Sequence, residues 1–175
     1  MTTPGPGDSH RLIIVSNRLP IVLTKSAEGK WQVKPGTGGL VTALAPVLKN
    51  RGGMWIGWPG VASEEGGDLD KVFTAETKNF GYQLKAVNLT KEERERYYEG
   101  FSNEIIWPLF HDIVAYCNFS PEYWVAYQHV NRKFAVVVKQ NLGRKDFIWV
   151  QDYQLMNVAA YLRELGVAAR VAFFF

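Results

Sequence analysis

The sequence has 175 residues, 47% of them hydrophobic and 14% aromatic, which suits one domain with a buried core and excludes a disordered body. Its 20 basic and 17 acidic residues leave a net charge of +3, too small an excess for a nucleic-acid surface. A single cysteine, Cys117, excludes an internal disulfide and fits a reducing compartment, and no apolar run reaches the roughly 20 residues that span a bilayer.

Residues 1–10 read as a tail outside the fold, the Pro/Gly-rich stretch Met1–Ser9 carrying no periodicity and expected to be mobile. Arg11 to Asn17 is a continuous apolar run closed by polar residues, the pattern of a buried parallel strand. Ile21–Lys25 and Lys30–Lys34, joined by Ser-Ala-Glu-Gly, read as a hairpin. Gly36-Thr37-Gly38-Gly39 is a turn, and Leu40 to Asn50 has helical spacing that stops before Gly52-Gly53. Met54–Trp58 reads as a short strand, Val61–Asp70 as a loop, and Gly81–Asn88 as another strand. Thr90-Lys91-Glu92-Glu93 is a capping box that starts a helix through Tyr97-Tyr98, with Pro108 interrupting or ending the helical segment after it.

Ser120-Pro121 supplies an N-cap and a first-turn proline for a long helix to about Gln140. Asp146–Val150 is a buried strand, Leu155–Leu165 a helix closed by Gly166, and Arg170–Phe175 again a buried strand. Strand, helix and strand alternate in the last third, which predicts right-handed βαβ units and a parallel sheet. The sequence stops on Phe173-Phe174-Phe175 with no covering crossover after it, and a fragment is expected on that ground.

Candidate chemistry lies at the carboxyl ends of the strands, where open α/β sheets bind ligands. Arg18 follows the first strand and offers a fork of donors suited to phosphate, or pairs with a surface carboxylate. Asp152 follows a second strand and either accepts bonds from sugar hydroxyls or caps the next helix. The Gly36–Gly39 turn either offers backbone N–H groups to a diphosphate or only leads into its helix; the dinucleotide spacing fails at Val41. Trp55 and Trp58 read as core, and Cys117 among aromatics as a buried, inert thiol. His111 and His129 have no Cys or His at metal spacing, so no metal or other cofactor is expected. The sequons at Asn88 and Asn118 carry no weight without a signal-peptide core, and a cytoplasmic protein without membrane or nucleic-acid partners is expected.

The segments VSNRLP (15–20), GTGGL (36–40), WIGWPG (55–60), NLT with YYEGFSNEIIWPLFH (88–111), YQHVN (127–131), FIWVQDYQLM (147–156) and RVAFFF (170–175) occur in this order. Together they closely resemble the trehalose-6-phosphate synthases of glycosyltransferase family 20, over about Arg11 to Phe175. The resemblance implies an α/β fold: residues 11–175 would be an incomplete Rossmann-like, parallel-sheet, acceptor-side domain. That domain would be the N-terminal half of a two-domain GT-B enzyme, without its C-terminal donor-binding domain.

It further implies that Arg18 and Tyr98 bind the phosphate of glucose 6-phosphate and that Trp107 shapes the acceptor pocket. By the same carry-over Asp152 hydrogen-bonds the acceptor sugar, and Gly38 and Gly39 meet the diphosphate of UDP-glucose. Many members have His where this chain has Gln151. The implied reaction moves glucose from UDP-glucose to glucose 6-phosphate with retention, without a metal, the isolated piece being inactive. The alternatives are a glucosylglycerol-phosphate synthase, a pseudo-glycosyltransferase that couples cyclitols, or a non-catalytic module that binds sugar phosphate. The donor base and the oligomeric state stay open, homo-oligomers included.

Overall fold

The computed structural model describes residues 11–66 and 69–175, so the expected tail lies outside the described residues. In chain order the elements are β1 (Leu12–Arg18), β2 (Ile21–Lys25), β3 (Trp31–Pro35), α1 (Gly39–Arg51), β4 (Met54–Trp58), α2 (Ser63–Gly66), α3 (Leu69–Phe80) and β5 (Gln83–Ala86). A continuous helical segment follows: α4 (Lys91–Arg94), a π-helix over Glu95–Ile106, and α5 (Trp107–Phe110). A 3-10 turn (Val114–Tyr116) leads to α6 (Pro121–Asn141), β6 (Phe147–Gln151), a second 3-10 turn (Tyr153–Leu155), α7 (Val158–Glu164) and β7 (Arg170–Phe174).

Five strands form one parallel sheet in the order β5-β4-β1-β6-β7, and β2 and β3 pair antiparallel as a separate hairpin. The apolar strand runs are explained by burial on both faces. Ile13, Val15, Met54, Ile56, Ile148 and Val150 join one core, with residues of α6 and α7. Their alternating neighbours Leu12, Ile14 and Trp55 join the other, with residues of α1 and α3. Trp55 and Trp58 are both core residues, as expected.

Several expectations need correction. The stretch read as a loop over Val61–Asp70 holds α2 and the start of α3, whose Leu69, Phe73 and Phe80 bury a stripe against the second core. Pro108 does not break its segment, which continues to Phe110; it sits in the first turn of α5, where its missing N–H is least costly. The capping box forms as read, with Glu93 N–H on Thr90 Oγ1 at 3.1 Å and Thr90 N–H on Glu93 Oε2 at 2.8 Å. Beyond it the backbone widens: the Trp107 N–H bonds the Ser102 carbonyl five residues back, and Tyr97, Gly100, Ser102, Ile105 and Ile106 are buried.

Ser120 makes no side-chain cap bond at the start of α6. Cys117 is half-buried rather than buried, its thiol 3.7 Å from the Ile105 carbonyl. Strand β7 is an edge strand, not a buried one, and Phe173, Phe174 and Phe175 are 41%, 59% and 64% exposed. No helix among the described residues is long and apolar enough to cross a membrane.

Candidate functional site

The chain leaves β1 toward β4 and β5 on one side of the sheet and returns as β6 and β7 on the other. Strand order therefore reverses between β1 and β6, and the crevice outside their carboxyl ends is where this topology places a ligand. A cleft of about 450 Å³ lies there. It is lined by Ser16, Asn17 and Arg18 at the end of β1, by Gly36–Val41 entering α1, by Tyr98 of the π-helix, and by Gln151, Asp152 and Gln154 after β6.

Arg18 is exposed and stands over the Trp58 ring, 5.2 Å from its centroid. Among the described residues no carboxylate pairs with it, so the surface ion pair allowed by the sequence does not form. Its backbone is fixed by Ser16, whose hydroxyl donates to the Arg18 carbonyl at 2.7 Å and accepts from Trp55 Nε1 at 2.7 Å. The pairing of β1 with β4 shifts register between Val15 and Arg18, and Gly57 makes that shift sterically possible. A Cβ on Gly57 would stand 2.8 Å from the Leu19 nitrogen and 2.9 Å from both the Arg18 carbonyl carbon and the Ser16 oxygen. Gly60, at φ 92°, leaves the space that the Arg18 guanidinium fills. Beside it, the Tyr97 hydroxyl donates to Asn17 Oδ1 at 3.1 Å. Burial, then the neighbouring tyrosines and Asp152, push the Tyr97 phenol well above its ordinary range, so it stays a donor.

Asp152 takes φ 74° and ψ 162°, a region that non-glycine residues enter at a cost of about 1–3 kcal/mol. Its Oδ1 accepts the Tyr153 N–H at 2.8 Å, so it does cap the short turn that follows. It is also exposed in the cleft, so capping the turn leaves its carboxylate open to a ligand. The turn is held from below by two buried residues of α6. Tyr127 donates to the Tyr153 carbonyl at 2.7 Å and accepts the Met156 N–H at 3.2 Å; Asn131 Nδ2 donates to the Gln154 carbonyl at 3.0 Å and its Oδ1 accepts the Asn157 N–H at 3.2 Å. The Asp152 N–H bonds the Phe174 carbonyl at 2.8 Å, which ties the turn to β7. Burial, then the charge of Asp152, raise the Tyr153 phenol, and Tyr153 donates to Asn103 Oδ1 at 3.2 Å.

Gly38 and Gly39 present bare backbone at the start of α1, with nothing within 4 Å of where a Cβ would stand. Five of the six residues singled out from sequence, Arg18, Gly38, Gly39, Tyr98 and Asp152, thus share one cleft. Trp107 does not line it. It is 43% exposed and stacks on the His111 ring at 4.0 Å.

A larger cavity of about 570 Å³ lies on the outer helical face, bounded by Thr90, Glu93, Arg96, Glu122, Val125 and His129 among others. Its charges are already paired: Glu93 with Lys133 at 2.7 Å and His129 at 3.0 Å, Arg96 with Glu92 and Glu122. Burial alone would raise the Glu93 carboxyl, but bonds from Lys133 and the Thr90 N–H, with the charges of Lys133 and His129, hold it below its usual value. The smaller cleft gathers a guanidinium without a carboxylate partner among the described residues, a tyrosine, a carboxylate and the glycine backbone at the start of α1. Such a set is chemically suited to anionic, hydroxyl-rich molecules and to positioning them by charge and hydrogen bonds. No cluster of metal-ligating side chains exists among the described residues.

A family model described as glycosyltransferase family 20 matches residues 10–175. The chain belongs to glycosyltransferase family 20. It is 42% identical over 162 residues to the trehalose-6-phosphate synthase of Mycolicibacterium vanbaalenii, an alignment that covers 93% of this chain and 33% of the relative. Among solved family 20 structures, a Burkholderia xenovorans trehalose-phosphate synthase in complex with glucose 6-phosphate superimposes with a TM-score of 0.70 at 32% identity, covering 94% of this chain and 34% of that one. The Escherichia coli protein bound with UDP-2-fluoro glucose gives 0.74 at 30% identity, covering 94% and 32%. The chain spans about a third of the length of the relatives it matches.

Ser16, Gly57, Tyr97 and Asn131 hold the site together, and residue-level reading did not single them out. The signal for them lay in the quoted blocks: VSNRLP contains Ser16, WIGWPG contains Gly57, the YYEGFSN block contains Tyr97, and YQHVN contains both Tyr127 and Asn131.

Proposed function

We propose that this chain is the acceptor-side, Rossmann-like part of a retaining trehalose-6-phosphate synthase. The intact protein transfers glucose from UDP-glucose to glucose 6-phosphate in the cytoplasm. The carrying observation is that a family 20 chain gathers Arg18, Tyr98, Asp152, Gly38 and Gly39 in one cleft at the β1/β6 switch point.

In this reading Arg18 and Tyr98 hold the acceptor phosphate, the guanidinium supplying charge-assisted bonds of about 1.5–3 kcal/mol. Asp152, turned toward the cleft by its strained backbone, accepts from an acceptor hydroxyl and orients it. The N–H groups at the start of α1 meet the donor diphosphate, where the helix dipole favours negative charge. Catalysis then rests on orientation and on stabilising charge at the leaving diphosphate, without a metal ion. UDP as the leaving group is supported by the Escherichia coli neighbour bound with UDP-2-fluoro glucose, and glucose 6-phosphate as acceptor by the Burkholderia complex.

The test is steady-state kinetics on the full-length protein. Arg18→Ala raises KM for glucose 6-phosphate far more than KM for UDP-glucose, and Asp152→Asn lowers turnover by orders of magnitude with Tm nearly unchanged, because Asn caps as well as Asp. Equal loss for both substrates in the first variant, or full activity in the second, overturns the assignment.

A further inference from the structure

Three buried side-chain polar atoms among the described residues lack a hydrogen-bond partner, and two of them belong to the cleft: Gln151 Nε2 and Gln154 Oε1. The third, Arg94 Nε, belongs to a guanidinium whose Nη2 already reaches Glu95 and Glu99. Gln151 and Gln154 are 2% and 7% exposed, so bulk water does not offset the missing bonds, and each unmet group costs about 1–3 kcal/mol.

The backbone around them cannot shift to repair this. Gln151 is the last residue of β6, in register with Phe174, and strained Asp152 follows it. The Gln154 carbonyl is bound by Asn131, and the turn on either side is bound by Tyr127. Two amides, one with an unmet donor and one with an unmet acceptor, are thus held in the floor of the cleft on either side of Asp152.

We propose that Gln151 and Gln154 are positioning and specificity residues that together read one hydroxyl of the bound sugar, the hydroxyl accepting from Gln151 and donating to Gln154. A hydroxyl is the group that does both at once, and an unmet buried couple of this kind rejects a ligand lacking it more strongly than an apolar pocket does. The terminal side-chain torsion of glutamine is broad, so each amide turns to the ligand without moving the backbone. The inference rests on the sugar-phosphate reading above and adds that part of the cleft's stability is withheld until a sugar enters.

The test uses the 175-residue chain with calorimetric titration of glucose 6-phosphate and of inorganic phosphate, and thermal unfolding of the same samples. Gln151→Met and Gln154→Met keep the shape and remove the amide. Each weakens glucose 6-phosphate binding about tenfold, leaves phosphate binding within about twofold, and raises Tm by about 2–4 °C. Gln151→His, which retains an N–H donor, keeps more affinity than Gln151→Met. Should a Met variant unfold, the 2-, 3- and 4-deoxy analogues of glucose 6-phosphate on the wild-type chain decide: one binds about tenfold more weakly, and its penalty shrinks in Gln151→His. Unchanged sugar affinity in both Met variants, or three deoxy analogues that bind like the parent, overturns the inference. A wild-type chain that binds neither ligand overturns the sugar-phosphate reading itself, and the inference with it.

Discussion

Replacing Asp152 by glycine and by alanine reverses the usual stability order of those two residues. Asp152 holds φ 74° and ψ 162°, which costs about 1–3 kcal/mol for any residue with a Cβ. Both replacements lose the bond from the Tyr153 N–H to Oδ1, so that bond cancels in their comparison. Alanine keeps the backbone cost; glycine removes it but brings about 0.5–1 kcal/mol of additional chain entropy in the unfolded state. Asp152→Gly is therefore more stable than Asp152→Ala by roughly 0.5–2 kcal/mol, or about 1–8 °C in Tm for a chain of this size. Urea denaturation followed by circular dichroism measures the difference, and titration with glucose 6-phosphate on the same samples shows binding weakened in both. An alanine variant as stable as the glycine one, or more so, refutes the argument that strain at this position aims the carboxylate.

Three further outcomes follow from the geometry. Ser16→Ala leaves the buried Trp55 N–H unpaired and destabilises the chain by about 1–3 kcal/mol, while the Ser16→Ala/Trp55→Phe double variant loses less than the sum of the two single ones; additive losses in chemical denaturation would sink the coupling. Gly60→Ala drives a Cβ into the Arg18 guanidinium and strains φ 92°, so it weakens inorganic phosphate binding several-fold by calorimetry, and unchanged affinity would show that Arg18 does not need that placement. Glu93 has its carboxyl held below the ordinary value of 4.5, so its contribution is full above that pH and is lost as pH falls through its lower folded value. Scanning Tm from about pH 6 to about pH 3, Glu93→Gln flattens part of the acid decline, Asp146 beside Arg11 supplying another part; an unchanged slope contradicts the assignment.

What was legible in the sequence was local. The run Leu12–Val15 carries its two-faced burial in four adjacent letters, and the Thr90–Glu93 box is complete within one turn. Strand alternation with helices in the last third was enough for the parallel sheet. The misses are of two kinds. Helix α3 was hidden because its stripe begins at the end of a polar, glycine-containing stretch, and the π-helix because its wider turn lies in the backbone hydrogen bonds and not in a residue spacing. The rest are long-range: Ser16 meets Trp55 39 positions away, and Asn131 meets the Gln154 carbonyl 23 positions away. Periodicity carries no information about such pairs. The exposure of β7 belongs with them, since a strand's place in the sheet order is not written in its own residues. For the site, the residues alone left Arg18 and Asp152 each with two readings. In the structure Arg18 has no carboxylate partner among the described residues, and Asp152 both caps the turn after β6 and lines the cleft.

The most direct test of the central claim is where glucose 6-phosphate touches this chain. In a ¹H–¹⁵N correlation spectrum of the labelled 175-residue protein, titration with glucose 6-phosphate shifts the backbone amides of Arg18, Gly38, Gly39 and Asp152, at the carboxyl ends of β1 and β6 and the start of α1. Shifts confined to the helical-face cavity around Glu93 and His129, or no shifts at saturating ligand, contradict the account.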